Sequence, residues 1–104
     1  MSTLYVAGPM TGLPEYNLPA FAAAAHELES RGYVAVNPGR RGVIDGASWQ
    51  DYMRWAIADL LTCDGIALLS GWDSSSGARL EVHIATALAM PVRSLSLWLA
   101  ERAK

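Results

Sequence analysis

The sequence predicts a small α/β domain: a three-layer, flavodoxin-like (Rossmann-like) parallel sheet with helices on both faces. Short apolar runs of strand length alternate with longer helical patterns, and this order is typical of βαβ crossovers. Hydrophobic residues make up 52% of the 104 residues and charged residues 17%, a ratio that fits a sheet covered on both faces. A chain of this length has room for one core. We therefore predict a single domain over residues 1–104.

The elements follow from their flanking residues. The first helix is predicted to start at an Asn17 cap and to end at Gly32, and the second opens at Ser48. The third follows a run of three serines and ends before Pro91, and Ser96 is the predicted cap of a short fourth helix. The predicted strands are apolar runs bounded by turn residues, at 3–7, 33–36, 65–69 and 92–95.

Composition and charge exclude several classes of protein. The net charge is −2, with 8 Lys plus Arg and no basic run, so a polymeric nucleic acid is not an expected partner. The single cysteine, Cys63, cannot form an internal disulfide and is predicted to be a small buried hydrophobe. No leader or long apolar segment is present, which predicts a soluble, cytoplasmic protein outside any membrane. His26 and His83 fall on polar helix sides, so we predict no metal site, and no pattern indicates a cofactor.

Residues 70–88 contain the strongest functional signal. An apolar run ends there in a polar loop, and Glu81 falls within the apolar stripe of the helix that follows. A carboxylate on a buried face is costly unless it is paired, protonated or used. Glu81 is therefore either a structural group that meets a loop amide or a cation, or a functional group at the carboxyl end of the sheet, where α/β folds bind ligands. We predict that it is mostly buried and within reach of Tyr5 or a loop amide.

Three other features are candidates for ligand contacts. The turn at residues 8–12 lacks the spacing of a P-loop or a dinucleotide turn, so it is either a plain tight turn or a loop whose amides approach a ligand. Arg40 and Arg41 begin a long loop and could bind a phosphate, although such a pair is usually a solvated surface feature. The serines at 74–76 could bind an anion with the amides of the helix N-terminus, but capping needs only one of them.

Four segments carry a family resemblance. They are Tyr5-Val-Ala-Gly-Pro-Met-Thr-Gly12, Asn37-Pro38, Cys63-Asp-Gly-Ile-Ala-Leu-Leu69, and Gly71-Trp72 with Ser75-Ser-Gly-Ala-Arg-Leu-Glu81. Together they resemble the nucleoside 2-deoxyribosyltransferase-like superfamily, and they look closest to a short uncharacterised branch that is common in phages and prophages. The resemblance covers nearly the whole chain. It implies N-glycosidic bond cleavage in deoxynucleosides or their monophosphates through a glutamate nucleophile.

The resemblance also implies roles for individual residues. Glu81 matches the nucleophile, and Tyr5 matches a strand-one tyrosine near the sugar. Ser75 matches a serine that binds phosphate in the nucleotide hydrolases, and Gly8 and Gly77 match glycines that line the pocket. Further substrate contacts are expected from the matched motifs, at Pro9, Met10, Thr11, Asn37 and Trp72.

The chain departs from the family pattern at two positions. Ala56 stands where the family usually has an aspartate that assists the glutamate or the base. Asp59, about 4.5 Å further along the helix axis, is the candidate to reach the pocket in its place. Thr11 stands where the nucleotide hydrolases have a phosphate-binding arginine, which weakens the case for a monophosphate unless Arg40 or Arg41 compensates.

Two functions from different classes remain open. As an enzyme, the protein would use Glu81 to attack the anomeric carbon and form a covalent glycosyl intermediate, which water or another base would resolve. As a binding protein, the same pocket would hold a nucleoside or nucleotide without turnover, which the alanine at position 56 favours. Fold alone does not decide between them.

The tryptophans suggest an assembly. Trp55 falls about 160° from the centre of the apolar stripe of its helix, and Trp98 on the terminal helix is a second candidate for an exposed aromatic. Exposed aromatic side chains often mark interfaces, and the enzymes that the chain resembles are oligomers. We predict a homodimer or larger homo-oligomer with Trp55 at or near a contact.

Overall fold

The protein forms the four-stranded parallel sheet that the alternating pattern predicts. The computed structural model describes residues 2–101. The strands lie in the order β2-β1-β3-β4, and all neighbours are parallel. The order reverses between β1 and β3, which is the switch point where flavodoxin-like folds bind ligands. The strands are β1 (Thr3–Ala7), β2 (Val34–Val36), β3 (Gly65–Leu68) and β4 (Val92–Ser94), and the helices are α1 (Leu18–Ser30), α2 (Trp49–Leu60), α3 (Ser76–Ala87) and α4 (Leu95–Ala100).

Side chains of β1 alternate between the two faces of the sheet. Leu4 and Val6 pack in a buried cluster with residues of α1 and α4. Tyr5 and Ala7 pack in a second cluster with residues of α2 and α3. Because alternate side chains of a strand point to opposite faces, this one strand contributes to both cores, and the three-layer prediction is confirmed. The first cluster also contains Phe21, Ala24, Leu28, Tyr33, Ala67, Leu69 and Trp98, and the second contains Leu60, Cys63, Ile66 and Ala85.

Helix α1 begins differently from the prediction. Asn17 precedes the helix, but its φ of 61° is left-handed and its side chain makes no capping bond. A capping residue normally has extended backbone, which aims its side chain at the helix amides. Asn17 instead donates from Nδ2 to the carbonyl of Pro9, at 3.0 Å. The two residues before it, Glu15 and Tyr16, are also left-handed. The predicted Asn17 cap is therefore wrong, whereas Gly32, with a φ of 92°, ends the helix as predicted.

Serines cap the starts of α2 and α3, the two helices that pack on the same face of the sheet as Tyr5. Ser48 accepts from the amide of Asp51 at 3.1 Å, and the Asp51 carboxylate accepts from the amide of Ser48 at 3.0 Å. This reciprocal pair is a capping box and fixes the start of α2. Ser75 caps α3 by accepting from the amide of Ala78 at 3.2 Å.

The C-terminal part differs from the prediction in two ways. Ser94, not Ser96, caps α4 by accepting from an amide of its first turn, so β4 ends one residue earlier than predicted. Trp98 is buried rather than exposed, because its ring packs edge-on against Tyr33 and its Nε1 donates to the carbonyl of Ile66 at 2.7 Å. Trp98 is therefore part of the core.

Trp55 is half-buried and has partners within its own chain. Its ring packs edge-on against Tyr52, with 5.6 Å between the ring centroids. The guanidinium carbon of Arg41 lies 5.1 Å from the centroid of the Trp55 ring. A helical wheel of α2 does not include this loop arginine, so the helical pattern alone could not explain why a tryptophan lies on the polar side of α2. The homo-oligomer stays a prediction.

Candidate active site

A cleft of about 860 Å³ opens where β1 and β3 end, a volume typical of small-molecule sites. Its walls come from the turn after β1, the segment before α2, α2 itself and the first turns of α3. This places the cleft at the switch point of the sheet, as expected for the fold. The predicted site residues that line it are Tyr5, Gly8, Pro9, Met10, Thr11, Asp59, Ser75, Gly77 and Glu81.

Tyr5 and Glu81 form a buried pair in the wall of this cleft. The Tyr5 hydroxyl donates a short hydrogen bond to Oε2 of Glu81. Tyr5 is 0% exposed and Glu81 is 6% exposed, so the bond lies in a region of low dielectric. Tyr5 reaches the glutamate because odd-numbered residues of β1 face α2 and α3. The predicted burial of Glu81 is confirmed, and of the two predicted partners, Tyr5 or a loop amide, the structure shows Tyr5.

Burial dominates the ionisation of this pair. Loss of solvation raises the pKa of Glu81 from its ordinary value of 4.5 to about 7, and the hydrogen bond from Tyr5 acts in the opposite direction. Burial, with the nearby Glu81 carboxylate, also raises the pKa of Tyr5 far above its usual range. Tyr5 is therefore a neutral donor, and near pH 7 Glu81 can be either a carboxylate or a carboxylic acid. A pKa perturbed by burial in a cleft is typical of functional groups.

The start of α3 sets the position of Glu81. The Ser75 cap fixes the first turn, and Glu81 lies on the next turn, on the same side as the buried Ala78 and Ala85. A side chain at Gly77 would place its Cβ 3.1 Å from Sδ of Met53. Glycine at position 77 therefore lets α3 approach α2 without displacing the Met53 side chain.

The turn after β1 forms another wall. Gly8, Pro9, Met10 and Thr11 all line the cleft. A Cβ on Gly8 would lie 2.7 Å from Cβ of Leu69, so glycine is needed there for the close approach of the two chain segments that follow β1 and β3. The bond from Asn17 to the carbonyl of Pro9 holds the turn in place.

The α2 side of the cleft contains Ala56, Asp59 and Arg41. Nη2 of Arg41 lies 3.2 Å from Oδ2 of Asp59 and donates a hydrogen bond to it. Asp59 does reach the cleft, but as half of an ion pair. Arg40 is exposed and lies outside the lining, so Arg41 alone of the two loop arginines faces the cleft.

Two predicted contact residues lie outside the lining. Asn37 accepts from the amide of Gly39 through its side chain, at 2.8 Å, and so caps the 3₁₀ turn Pro38–Arg41. Trp72 begins the 3₁₀ turn Trp72–Ser74 after β3. The structure does not bring either of them into the cleft.

The sequence missed several lining residues. The hydroxyl of Tyr52 accepts from the amide of Ile44 at 2.6 Å and donates to its carbonyl at 3.2 Å. These two hydrogen bonds to one loop residue anchor the segment of residues 42–47 against α2. Asp45 in that segment adds a third carboxylate to the lining, beside Asp59 and Glu81. The length of the loop hinted at a function, but its contacts with α2 leave no local pattern. Tyr52 and Met53 also line the cleft, but their place on the apolar stripe of α2 by itself indicates only core packing.

Two kinds of feature are absent over residues 2–101. No group of three or more His, Cys, Asp or Glu side chains is placed to hold a metal ion. No helix in the same range is long and apolar enough to cross a membrane.

Comparison with known proteins places the chain in a family. The solved structure of a 2-deoxyribosyltransferase from Bacillus psychrosaccharolyticus is similar, with a TM-score of 0.68 and 17% identity over 88% of this chain and 69% of that one. At this identity the likeness shows a common fold. No curated protein matches the chain. A family model described as "Domain of unknown function (DUF4406)" matches residues 2–94. Because that match covers most of the sequence, the chain belongs to the DUF4406 family.

Proposed function

We propose that the protein cleaves or transfers the N-glycosidic bond of a (deoxy)nucleoside or nucleoside monophosphate, with Glu81 as the nucleophile. The observation that supports this most directly is the buried Tyr5–Glu81 pair in the wall of a cleft at the switch point of the sheet. The fold shared with a 2-deoxyribosyltransferase supports the same class of chemistry. So does the resemblance in the motifs around Tyr5 and Glu81.

In this proposal the reaction has two displacement steps. A carboxylate oxygen of Glu81 attacks the anomeric carbon, the carbon–nitrogen bond breaks, and the electron pair leaves on the base nitrogen, which takes a proton from solvent. The transition state has oxocarbenium character, and the intermediate is a glycosyl ester of Glu81. Water or the nitrogen of a second base then attacks the same carbon and gives up a proton to solvent, and the carbon–oxygen bond to Glu81 breaks to release the carboxylate.

Tyr5 would position the nucleophile. Its hydroxyl donates to Oε2 of Glu81, so we assign the attack to Oε1. The same hydrogen bond favours the ionised carboxylate against the effect of burial. With a pKa of about 7, the nucleophile is half ionised at neutral pH, and the rate is expected to rise with pH through that value.

The alternative is a nucleoside- or nucleotide-binding protein without turnover. The observation that favours it lies on α2: Ala56 lines the cleft where the resembling enzymes have an aspartate, and the Asp59 carboxylate is engaged by Arg41. A second carboxylate that assists the nucleophile or the leaving base is therefore not in place at that point of the cleft.

Release of free base tests the two functions. The wild-type protein is incubated with 2′-deoxynucleosides and their monophosphates, and free base is measured by chromatography. We expect release by the wild type, loss of release in Glu81→Ala, and unchanged release in the surface variant Glu27→Ala, since Glu27 is exposed on α1. Equal release by Glu81→Ala would remove Glu81 from the mechanism. Release that appears only in Ala56→Asp would favour the binding protein for the natural sequence.

A further inference from the structure

We propose that Arg41, held by Asp59 and Trp55, is the residue that selects the base, and that it selects 6-oxopurines, whose edge presents two adjacent hydrogen-bond acceptors. This inference rests on the proposed function and names its substrate class. It concerns the α2 side of the cleft.

The Arg41 side chain is 31% exposed and makes three local contacts. The residue ends the 3₁₀ turn Pro38–Arg41, its guanidinium lies over the Trp55 ring at 5.1 Å, and Nη2 is bonded to Asp59 at 3.2 Å. Trp55 and Asp59 are four residues apart on α2, so they lie on one side of the helix. A side chain ordered before the ligand arrives loses less entropy when it binds.

The loop that carries Arg41 is fixed as well. The hydroxyl of Tyr52 makes two hydrogen bonds to the backbone of Ile44, and its ring packs edge-on against Trp55. Three side chains of α2, at positions 52, 55 and 59, therefore hold the segment 41–44 as a wall of the cleft. Ala56, with its small side chain, lines the same side of the cleft.

The charge of the Arg41–Asp59 pair favours a neutral ligand group. Asp59 offsets the positive charge of the guanidinium, and a phosphate dianion placed against Arg41 would also meet the Asp59 carboxylate. Neutral acceptors such as a carbonyl oxygen and a ring nitrogen meet no such repulsion. The pair therefore fits the edge of a base better than a phosphate, although both offer paired acceptor atoms.

The donor pattern selects among bases. A guanidinium has five N–H donors and no acceptor, and only one of its nitrogens is bonded to Asp59. The remaining donors match two adjacent acceptors, which 6-oxopurines present at O6 and N7. Adenine presents a donor at N6 beside N7. It would place a donor against a donor of the guanidinium.

This assignment changes the role expected for Asp59. The sequence made Asp59 a candidate catalytic carboxylate in place of the residue missing at position 56. In the structure its Oδ2 is bonded to Arg41, so Asp59 acts on the ligand through Arg41. We assign it as a positioning residue.

The test compares the binding of two nucleosides. Calorimetry measures the Kd of 2′-deoxyinosine, which has the acceptor pair, and of 2′-deoxyadenosine, which does not. The proteins are the wild type, Arg41→Gln, Asp59→Asn and the matched control Arg40→Gln, which alters an exposed arginine of the same turn. We expect the wild type and Arg40→Gln to prefer 2′-deoxyinosine roughly tenfold or more. Arg41→Gln and Asp59→Asn should lose that preference.

The outcomes separate this inference from the proposed function. Preferential binding of 2′-deoxyinosine without base release would support the role of Arg41 and overturn the enzyme. Base release from both nucleosides at equal kcat/KM, or a preference that survives in Arg41→Gln, would overturn the role of Arg41 and leave the enzyme intact. A further titration with 2′-deoxyadenosine 5′-monophosphate tests whether Arg41 binds a phosphate instead of a base. If the wild type binds this nucleotide more tightly than 2′-deoxyadenosine, and Arg41→Gln loses the difference, Arg41 binds phosphate and the inference is overturned. Binding of neither nucleoside and no base release would overturn both.

Discussion

The two faces of the sheet share strand β1 but use their polar groups differently. On the face covered by α1 and α4, the hydroxyl of Tyr33 and the indole N–H of Trp98 donate to backbone carbonyls. On the face covered by α2 and α3, the hydroxyl of Tyr5 donates to a buried carboxylate. Backbone carbonyls are neutral acceptors already present in the core, whereas a buried Glu81 must either keep its proton or bear a desolvated charge. The polar groups of the first face therefore stabilise the fold, whereas the buried carboxylate of the second face, at the edge of a cleft, lowers its stability.

The largest expected effect on the first face is a loss of packing. Leu28 is fully buried there, so Leu28→Ala should lower the free energy of unfolding by about 3 kcal/mol. Activity per folded molecule should be unchanged. Urea unfolding measures the loss, and Leu97→Ala is the matched control, because Leu97 on α4 is exposed and should change stability by about 0.5 kcal/mol or less. A similar loss in both variants would show that burial on this face does not set stability.

The second face should lose stability as the pH rises. Glu81 has a pKa of about 7 in the folded protein against an ordinary 4.5, so between these values the folded state keeps a proton that the unfolded state has released. Stability is therefore highest below the unfolded pKa and falls as the pH rises through about 7, by up to about 3 kcal/mol.

Urea unfolding from pH 5 to pH 8 measures this dependence, with Glu81→Gln as the control. The variant has no titrating group at position 81, so the difference between the two proteins should grow with pH in favour of the variant. Parallel curves would mean that Glu81 titrates near its ordinary value despite its burial.

The two tyrosines sharpen the comparison. Tyr5→Phe removes the donor to Glu81, so the pKa of Glu81 should rise further, and the midpoint of the pH–rate profile should move up by about one pH unit or more. The rate of base release near pH 7 should fall roughly tenfold. Tyr33→Phe removes bonds of 3.3 and 3.4 Å to carbonyls and should cost about 1 kcal/mol of stability without moving the profile. A profile displaced by both variants would contradict the distinction between the two faces.

The smallest effect concerns Trp55 on α2, which packs against Arg41 and Tyr52. If the predicted homo-oligomer uses Trp55, sedimentation at micromolar concentration should show an oligomer for the wild type and a smaller species for Trp55→Glu. Trp49→Glu is the comparison variant, because Trp49 is exposed at the start of the same helix. A monomeric wild type would exclude the assembly. An oligomer changed only by Trp49→Glu would move the contact to the helix start.

Much of the fold and the centre of the site follow from local patterns in the sequence. The alternating strands and helices predict the parallel sheet, and the position of Glu81 on the apolar stripe predicts its burial, because both are periodic features of single elements. Tyr5 was one of two predicted partners, beside a loop amide, and its place near the site came from the family resemblance. The periodic patterns are reliable because the spacing of residues within one helix or strand fixes which side of that element each residue faces.

The errors concern contacts between elements and unusual backbone. A helical wheel of α4 does not reveal that the Trp98 indole finds the carbonyl of Ile66. Likewise, a wheel of α2 does not reveal that Arg41 covers Trp55 and engages Asp59. The left-handed conformation of Asn17 depends on the turn before it, so the preference of asparagine for helix caps gave the wrong result.

The two-sided use of β1 has a consequence for insertions and deletions in the coding sequence. Removal of one codon within residues 3–7 would shift the remaining side chains of the strand by one position, so that each turns to the opposite face. Tyr5 and Leu4 could not both keep their clusters, and the hydroxyl would leave Glu81 as apolar side chains entered its place. Substitutions in this strand act on one face at a time, whereas a single-codon deletion would disturb the core and the candidate site together. Natural variants of this chain should therefore show length changes in the turns and loops and a constant length for β1.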